Sequence, residues 1–285
     1  MKSSTLNVRG LEYHIQEWGD PSKPLIFLLH GWMDCGATFQ FSAQHLENDY
    51  RLVAPDLRGF GNTEHANAYW FPDYLADLDV LLDHYSPNSP VNLAGHSMGG
   101  NISLLYAGVR PDRISKVLSL EGLGLRRTDS NETPEKYRSW MREAFSGEPA
   151  KVYPNRTSLQ YSVHKGNPSL SPEMVEMLAD IWGKPVGDEG AMMLKHDHAH
   201  RYANPVRYNL DDTFACWKEV TARVGIVMAD ASTYYQRFAK EGRIDEAIQL
   251  LNVREQDNFI VEDSGHMLHI EQPEATAQCL RTFFS

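Results

Sequence analysis

Cysteine is scarce in this chain and poorly placed for cross-linking. Its three copies, Cys35, Cys216 and Cys279, are an odd number set far apart, which excludes a disulfide framework and the paired spacing of a metal knuckle. A reducing compartment follows as the expectation, with the cytoplasm first among them. Long apolar runs are missing too: no stretch approaches the ~18 residues that a membrane span needs. The opening MKSSTLNVRG lacks the apolar core of a signal peptide. Basic residues are outnumbered, 27 against 38 acidic ones, for a formal charge of −11 and a pI near 5.5. Nucleic acid and anionic membrane both reward clustered Lys and Arg, so neither is expected as a partner. Repeats, low-complexity tracts and flexible linkers are also absent.

What is present is an ordinary globular composition, 42% hydrophobic over 285 residues, long enough for one large domain or a domain with an insertion. Leu6–Arg9 and Leu11–Trp18 read as two strands around Gly10. Leu25–Leu29 is a continuous apolar run, as expected of a strand buried on both faces. A helix over 38–48, a strand at Leu52–Ala54, and an amphipathic helix over Phe71–Tyr85 with Pro72 near its start follow. The strand Val91–Ala94 feeds a helix that reaches Val109, and Val117–Leu120 is the next strand. Alternation of this kind demands a mostly parallel sheet with right-handed crossovers. From about Gly124 to Val220 the rhythm breaks into aromatic and amphipathic sequence without a buried-strand signal. A structureless loop of that length is improbable, so residues 124–220 are expected to form a mainly helical cap inserted into a core of 1–123 and 221–285. Val224–Met228, a helix over Tyr234–Leu251, a last strand at Phe259–Val261 and a closing helix over Pro273–Phe284 complete the core.

The stretch VNLAGHSMGG carries the chemistry. Gly95-His96-Ser97-Met98-Gly99 is a G-x-S-x-G nucleophile elbow, in which a serine sits on a strained strand-to-helix turn and small neighbours let chain segments crowd together. A neutral hydroxyl is a poor nucleophile and needs a base, itself oriented by a third group. His266, in the loop after the final strand beside Gly265, is the candidate base. His269, three residues on, is given a structural role. Two backbone amides must face the developing oxyanion: Met98, directly after the serine, and Trp32, in the His30-Gly31-Trp32-Met33 loop.

These motifs together resemble the α/β-hydrolase family: the HGW loop, PDLRGFG, GHSMGG, RPDRISKVLSLEG and SGHMLHIEQPE stand in the family's order and spacing. EGLGL and the segment Gly190–Pro205 look like its serine-hydrolase-like branch. The resemblance implies an eight-stranded, mostly parallel sheet, a lid between strands six and seven, and no cofactor. It also implies a structural role for Asp56, Arg58, Gly59 and Gly61 near the pocket rim.

The chain departs from the family at the triad acid. Members usually place it after strand seven in a loop resembling G-x-x-D, but here that loop reads Ala229-Asp230-Ala231-Ser232, with Ser232 at the acid's position. Glu121, after strand six, matches superfamily members such as haloalkane dehalogenases whose acid stands there. Glu121 is favoured, with Asp230 as the alternative. His196, His198 and His200 could share a face, but without an acid-rich companion motif no metal site is expected.

A serine nucleophile argues against dehalogenation and epoxide opening, where a carboxylate attacks. The expected function is hydrolysis of a carboxylic ester, or a related acyl compound, through an acyl-enzyme. The partner is a small molecule with an apolar portion to suit an aromatic cap. Thioesters, lactones and activated C–C bonds use the same machinery. A small-molecule receptor built on the same fold is the alternative from another class.

Overall fold

A computed structural model describes residues 1–147 and 149–285. The chain opens with β1 (Lys2–Val8) and β2 (Leu11–Trp18), then β3 (Leu25–Leu29), α1 (Gln40–Ala43), β4 (Arg51–Pro55), α2 (Phe71–Tyr85), β5 (Val91–His96), α3 (Met98–Val109) and β6 (Ile114–Leu120). The excursion that follows holds α4 (Thr133–Ser146), β7 (Val152–Tyr153), α5 (Arg156–Gly166), α6 (Pro172–Trp182), β8 (Gly183–Val186), β9 (Ala191–Leu194) and α7 (Leu210–Trp217). The sheet layers resume with β10 (Arg223–Ala229), α8 (Thr233–Lys240), α9 (Arg243–Leu250), β11 (Asn258–Val261), α10 (Leu268–Glu271) and α11 (Pro273–Phe284).

Eight strands form one sheet in the order β1-β2-β4-β3-β5-β6-β10-β11. The first two pair antiparallel, β2 meets β4 antiparallel, and every later neighbour is parallel. Parallel strands joined by crossover helices must be covered on both faces, and the apolar side chains sort accordingly. One face packs Tyr74 and Leu78 of α2, Ile102 and Tyr106 of α3, Trp217 of α7 and Phe238 of α8 against Phe27, Leu93 and Val117. The other packs Ala43, Leu268, Leu280 and Phe283 against Ile26, Leu28 and Leu118. This is the α/β-hydrolase architecture that the motifs imply.

Two expectations are corrected in detail, and a third, the mainly helical excursion, is refined. Residues 38–48 hold a short 3-10 turn and the four-residue α1 instead of one helix. The helix expected over 234–251 is broken into α8 and α9 at Gly242, whose φ of 67° no helix accommodates. The excursion is not purely helical, since β7, β9 and β8 form an antiparallel sheet. Strands of two to four residues are too short to register as alternation, and the β8–β9 hairpin turns on Gly187 and Gly190, both at positive φ.

The outer limit of the cap also moves. Leu210, Phe214 and Trp217 of α7 lie in the main core, and a side chain at Gly108 of α3 would overlap the Cys216 carbonyl. α7 therefore belongs to the sheet's helical layer, so the excursion ends before Leu210 and not at 220. Inside it, Tyr153, Leu159, Val163 and Leu178 build a separate small core that reaches Phe41 and Ile270 of the main body. No helix among the described residues is long and apolar enough to cross a membrane.

The PDLRGFG stretch forms the rim scaffold. Asp56 accepts hydrogen bonds from the Gly36 amide at 2.7 Å, the Asn62 amide at 2.9 Å and His14 Nδ1 at 2.8 Å. Arg58 is buried and grips Asp77 through Nε at 2.5 Å and Nη2 at 2.6 Å, and the Tyr13 hydroxyl donates to the same carboxylate. Burial opposes the guanidinium charge, but the hydrogen bonds and charge of Asp77, with smaller help from Tyr13 and Asp73, together outweigh it and hold the Arg58 pKa above its usual value. Removing one partner of a buried pair leaves an uncompensated charge. Asp77→Ala is therefore expected to lower unfolding free energy by about 3–5 kcal/mol in urea denaturation. Asp211→Ala, which breaks the exposed Arg127–Asp211 pair, should cost less than about 1 kcal/mol.

Candidate active site

Ser97 stands between β5 and α3 with φ 52° and ψ −109°, a conformation that L residues rarely adopt. The turn is held by the Ser97 amide donating to the Leu120 carbonyl at 2.8 Å and by the Asn101 amide donating back to Ser97 at 3.0 Å. Its two glycines are required by close approach: a Cβ on Gly95 would overlap the Gly99 carbonyl, and one on Gly99 the Leu29 carbonyl. The side chain is half-buried, and its hydroxyl makes no hydrogen bond to another described residue.

His266 lies in the turn after β11 with about a quarter of its side chain exposed, and its Nδ1 is 3.0 Å from Glu121 Oε2. Glu121 directly follows β6, is buried, and is itself at positive φ, 59°. Its Oε1 accepts the Ala229 amide at 2.9 Å and its Oε2 accepts the Ser232 hydroxyl. The backbone amide of Glu121 donates to Val227 O at 2.9 Å, tying the residue to β10. Asp230 does not reach His266; it is exposed, and its Oδ1 accepts the Ser264 amide at 3.3 Å. Ser232, at the position where relatives carry the acid, turns its hydroxyl onto Glu121 instead. Of the two carboxylates, Glu121 is the one the geometry brings to the histidine.

Two further groups hold His266. Tyr234 of α8 stacks on its ring, 4.1 Å between centroids at 19°, and His96 Nε2 lies 2.7 Å from its backbone carbonyl. Sequence reasoning passed over Tyr234, because an aromatic at the start of a helix after strand seven carries no motif. His269 is fully buried and lies 3.4 Å from Asp34, a structural position as expected.

The two expected oxyanion donors flank one cavity. Trp32 and Met98 both line a recess of about 290 Å³ whose wall includes Tyr69, Trp70, Phe71 and Trp140. The Trp32 side chain is half-exposed, 51%, so it is not a core residue. Neither its amide nor that of Met98, at the start of α3, donates to another described residue, as befits orphan donors at a helix N-terminus and its facing loop.

The histidine-rich segment turns out to be a clasp between the excursion and the rim. His200 is sandwiched between Phe60 and Tyr69, each 3.7 Å away, and its Nε2 lies 3.1 Å from the Arg58 carbonyl. The Asp197 amide donates to Gly59 O at 2.8 Å, and its carboxylate accepts the Tyr69 hydroxyl at 2.6 Å. Asn204 Nδ2 donates to Tyr69 O at 3.0 Å. The three histidines do not converge: His200 lines the aromatic recess, while His196 and His198 line a different one.

Burial holds the His200 imidazole neutral and pushes its pKa down to about 3. Because the folded value lies below the unfolded ~6.5, the unfolded chain takes up the extra proton as pH falls through 6.5, and stability is lost from there toward pH 3. His200→Phe keeps the stack and removes that titration. The wild type should be the more stable by about 1 kcal/mol at pH 7.5, through the bond to Arg58 O. That advantage should shrink by up to about 2 kcal/mol at pH 5, read from urea midpoints. A difference that does not change with pH contradicts the clasp.

Comparison with known proteins agrees with the fold. A family model described as the alpha/beta hydrolase fold matches residues 24–192, more than half of the chain. The "Serine hydrolase-like protein" of Danio rerio is 24% identical over 278 residues, covering 94% of this chain and 83% of its own. "Epoxide hydrolase 4" of Mus musculus is 34% identical over 112 residues, 38% of this chain and 31% of that protein. Among solved structures, a thioesterase domain from the curacin biosynthetic pathway superposes with a TM-score of 0.84 at 24% identity, covering 98% of this chain and 99% of that one. The chain belongs to the α/β-hydrolase fold family, and the serine-hydrolase-like proteins are among the relatives it matches over most of its length.

Proposed function

We propose that the protein is a serine hydrolase acting on a carboxylic ester or related acyl compound. The observation that carries this reading is the buried Glu121 carboxylate on His266 Nδ1, at 3.0 Å, together with Ser97 in an elbow conformation. Glu121 accepts a hydrogen bond from Nδ1–H, which keeps that proton on Nδ1 and leaves Nε2 free to act as base.

In this mechanism His266 Nε2 takes the Ser97 proton as Oγ attacks the substrate carbonyl. The Met98 and Trp32 amides receive the developing oxyanion. His266 returns the proton to the leaving alcohol, and water, deprotonated by the same ring, hydrolyses the acyl-enzyme. Ser97 need not be hydrogen-bonded to His266 beforehand, because catalytic contacts of this kind tighten when substrate binds. The recess beside Met98 and Trp32 is walled by aromatic rings, which favours a substrate with an apolar acyl or alcohol portion. Epoxide opening, which the name of one relative reports for that protein, is disfavoured because the elbow carries a serine where that chemistry uses a carboxylate.

Turnover of short p-nitrophenyl esters tests the reading. Ser97→Ala should lower kcat by at least about 1,000-fold, and Glu121→Gln by roughly 1,000- to 10,000-fold. Asp230→Asn should stay close to the wild type. Wild-type turnover that survives Glu121→Gln but collapses in Asp230→Asn would reassign the acid. Ligand-dependent melting shifts without turnover would point to a receptor instead.

A further inference from the structure

Behind the site lies a second group of polar side chains that the mechanism does not use. Asp34, His96 and His269 are all at least 97% buried, at 3%, 1% and 0% exposure. They come from the loop after β3, the end of β5 and α10, and each offers a ligand atom within 4.8 Å of the other two. Sequence spacing could not reveal them, because they stand 62 and 173 positions apart.

The group is only half satisfied. His269 Nε2 faces Asp34 Oδ2 at 3.4 Å and Thr38 Oγ1 at 3.3 Å, and His96 Nε2 faces the His266 carbonyl at 2.7 Å. The other ring nitrogen of each, His96 Nδ1 and His269 Nδ1, is buried with no partner. Buried polar atoms are paired in the great majority of cases, and an unpaired one asks for an explanation. Here two unpaired imidazole nitrogens stand on rings 4.5 Å apart, beside a carboxylate.

Two imidazoles and a carboxylate without a thiolate are the donor set of a late divalent ion such as zinc. Tetrahedral zinc holds such ligands at about 2.0–2.2 Å, so closing the triangle takes side-chain rotations of roughly an ångström. Asp34 also borders the seam with the cap. Asp34 Oδ1 accepts the indole N–H of Trp182 at 2.8 Å, and both line a small cavity with Lys195 and His196.

We propose that Asp34, His96 and His269 form an inhibitory site for a zinc-class divalent cation. The link to activity is His96, which adjoins Ser97 in the chain, donates to the His266 carbonyl and packs its ring 4.7 Å from the His266 ring. An ion drawn onto His96 Nδ1 moves a ring that adjoins the nucleophile in the chain and packs on the base. The inhibitory part of the proposal rests on the hydrolase reading above; the binding part does not.

The test titrates the full chain, stripped with EDTA, with Co2+ and then Zn2+. It reads the visible absorption of bound Co2+, the melting temperature, and p-nitrophenyl ester turnover relative to each variant's own metal-free rate. The expectation is one equivalent of Co2+ in a tetrahedral-type spectrum, displaced by Zn2+, with turnover lost in parallel and restored by EDTA. Asp34→Asn and His269→Gln should each weaken binding and raise the inhibitory Zn2+ concentration at least about 10-fold, while the cap variants His196→Gln and His198→Gln should leave both unchanged. The site is overturned if no saturable Co2+ spectrum develops, if both Asp34→Asn and His269→Gln bind like the wild type, or if the cap variants abolish binding. Saturable binding without turnover in the metal-free chain would keep the site and sink the hydrolase reading.

Discussion

The Glu121 carboxylate is the joint on which the arrangement depends. Charge taken out of water must be matched by hydrogen bonds or opposite charge, and Glu121 finds the Ala229 amide, the Ser232 hydroxyl and the His266 ring. Those three groups belong to the end of β10, the turn into α8 and the loop after β11. One buried side chain therefore fixes three segments that meet only in the folded sheet. The positive φ of Glu121 and of Ser97 sits on adjacent strands of that sheet, where strain of this type collects at functional sites.

Besides the small core that reaches Phe41 and Ile270, two junctions between the excursion and the sheet differ in their physics. At one, aromatic stacking and backbone hydrogen bonds clasp His200 and Asp197 onto the Arg58–Tyr69 rim, and that rim rests on the buried Arg58–Asp77 pair. At the other, a single indole N–H from Trp182 reaches Asp34 in the loop that also carries Trp32. α4 is the loosest part, with no buried residue and with Tyr137, Met141 and Phe145 exposed. Its Trp140 and Ala144 nevertheless wall the aromatic recess. Weakly packed elements open at little cost in free energy, which fits a wall that substrates must pass.

Much of this was legible in the chain because buried parallel strands are short continuous apolar runs, and the elbow glycines are demanded by contacts of the backbone itself. α2 and α11 start where Pro72 and Pro273 direct. What was not legible depends on contacts between distant segments. Glu121 and Asp230 both follow strands, and only the folded sheet shows that Ser232 and Ala229 turn toward Glu121. β7, β8 and β9 are too short to show a period, and α7 looks like cap sequence until Gly108 lets it lie on α3. His200 reads as part of a polar histidine cluster, yet it is a stacked, desolvated ring, because its partners Phe60 and Tyr69 lie more than a hundred residues earlier.

The central claim is that Ser97 is a nucleophile activated by the His266–Glu121 pair. Labelling the intact protein with a fluorophosphonate and mapping the adduct by peptide mass tests it most directly. The account predicts a single phosphonylated residue, Ser97. An adduct on another residue, or none on folded protein, would contradict it.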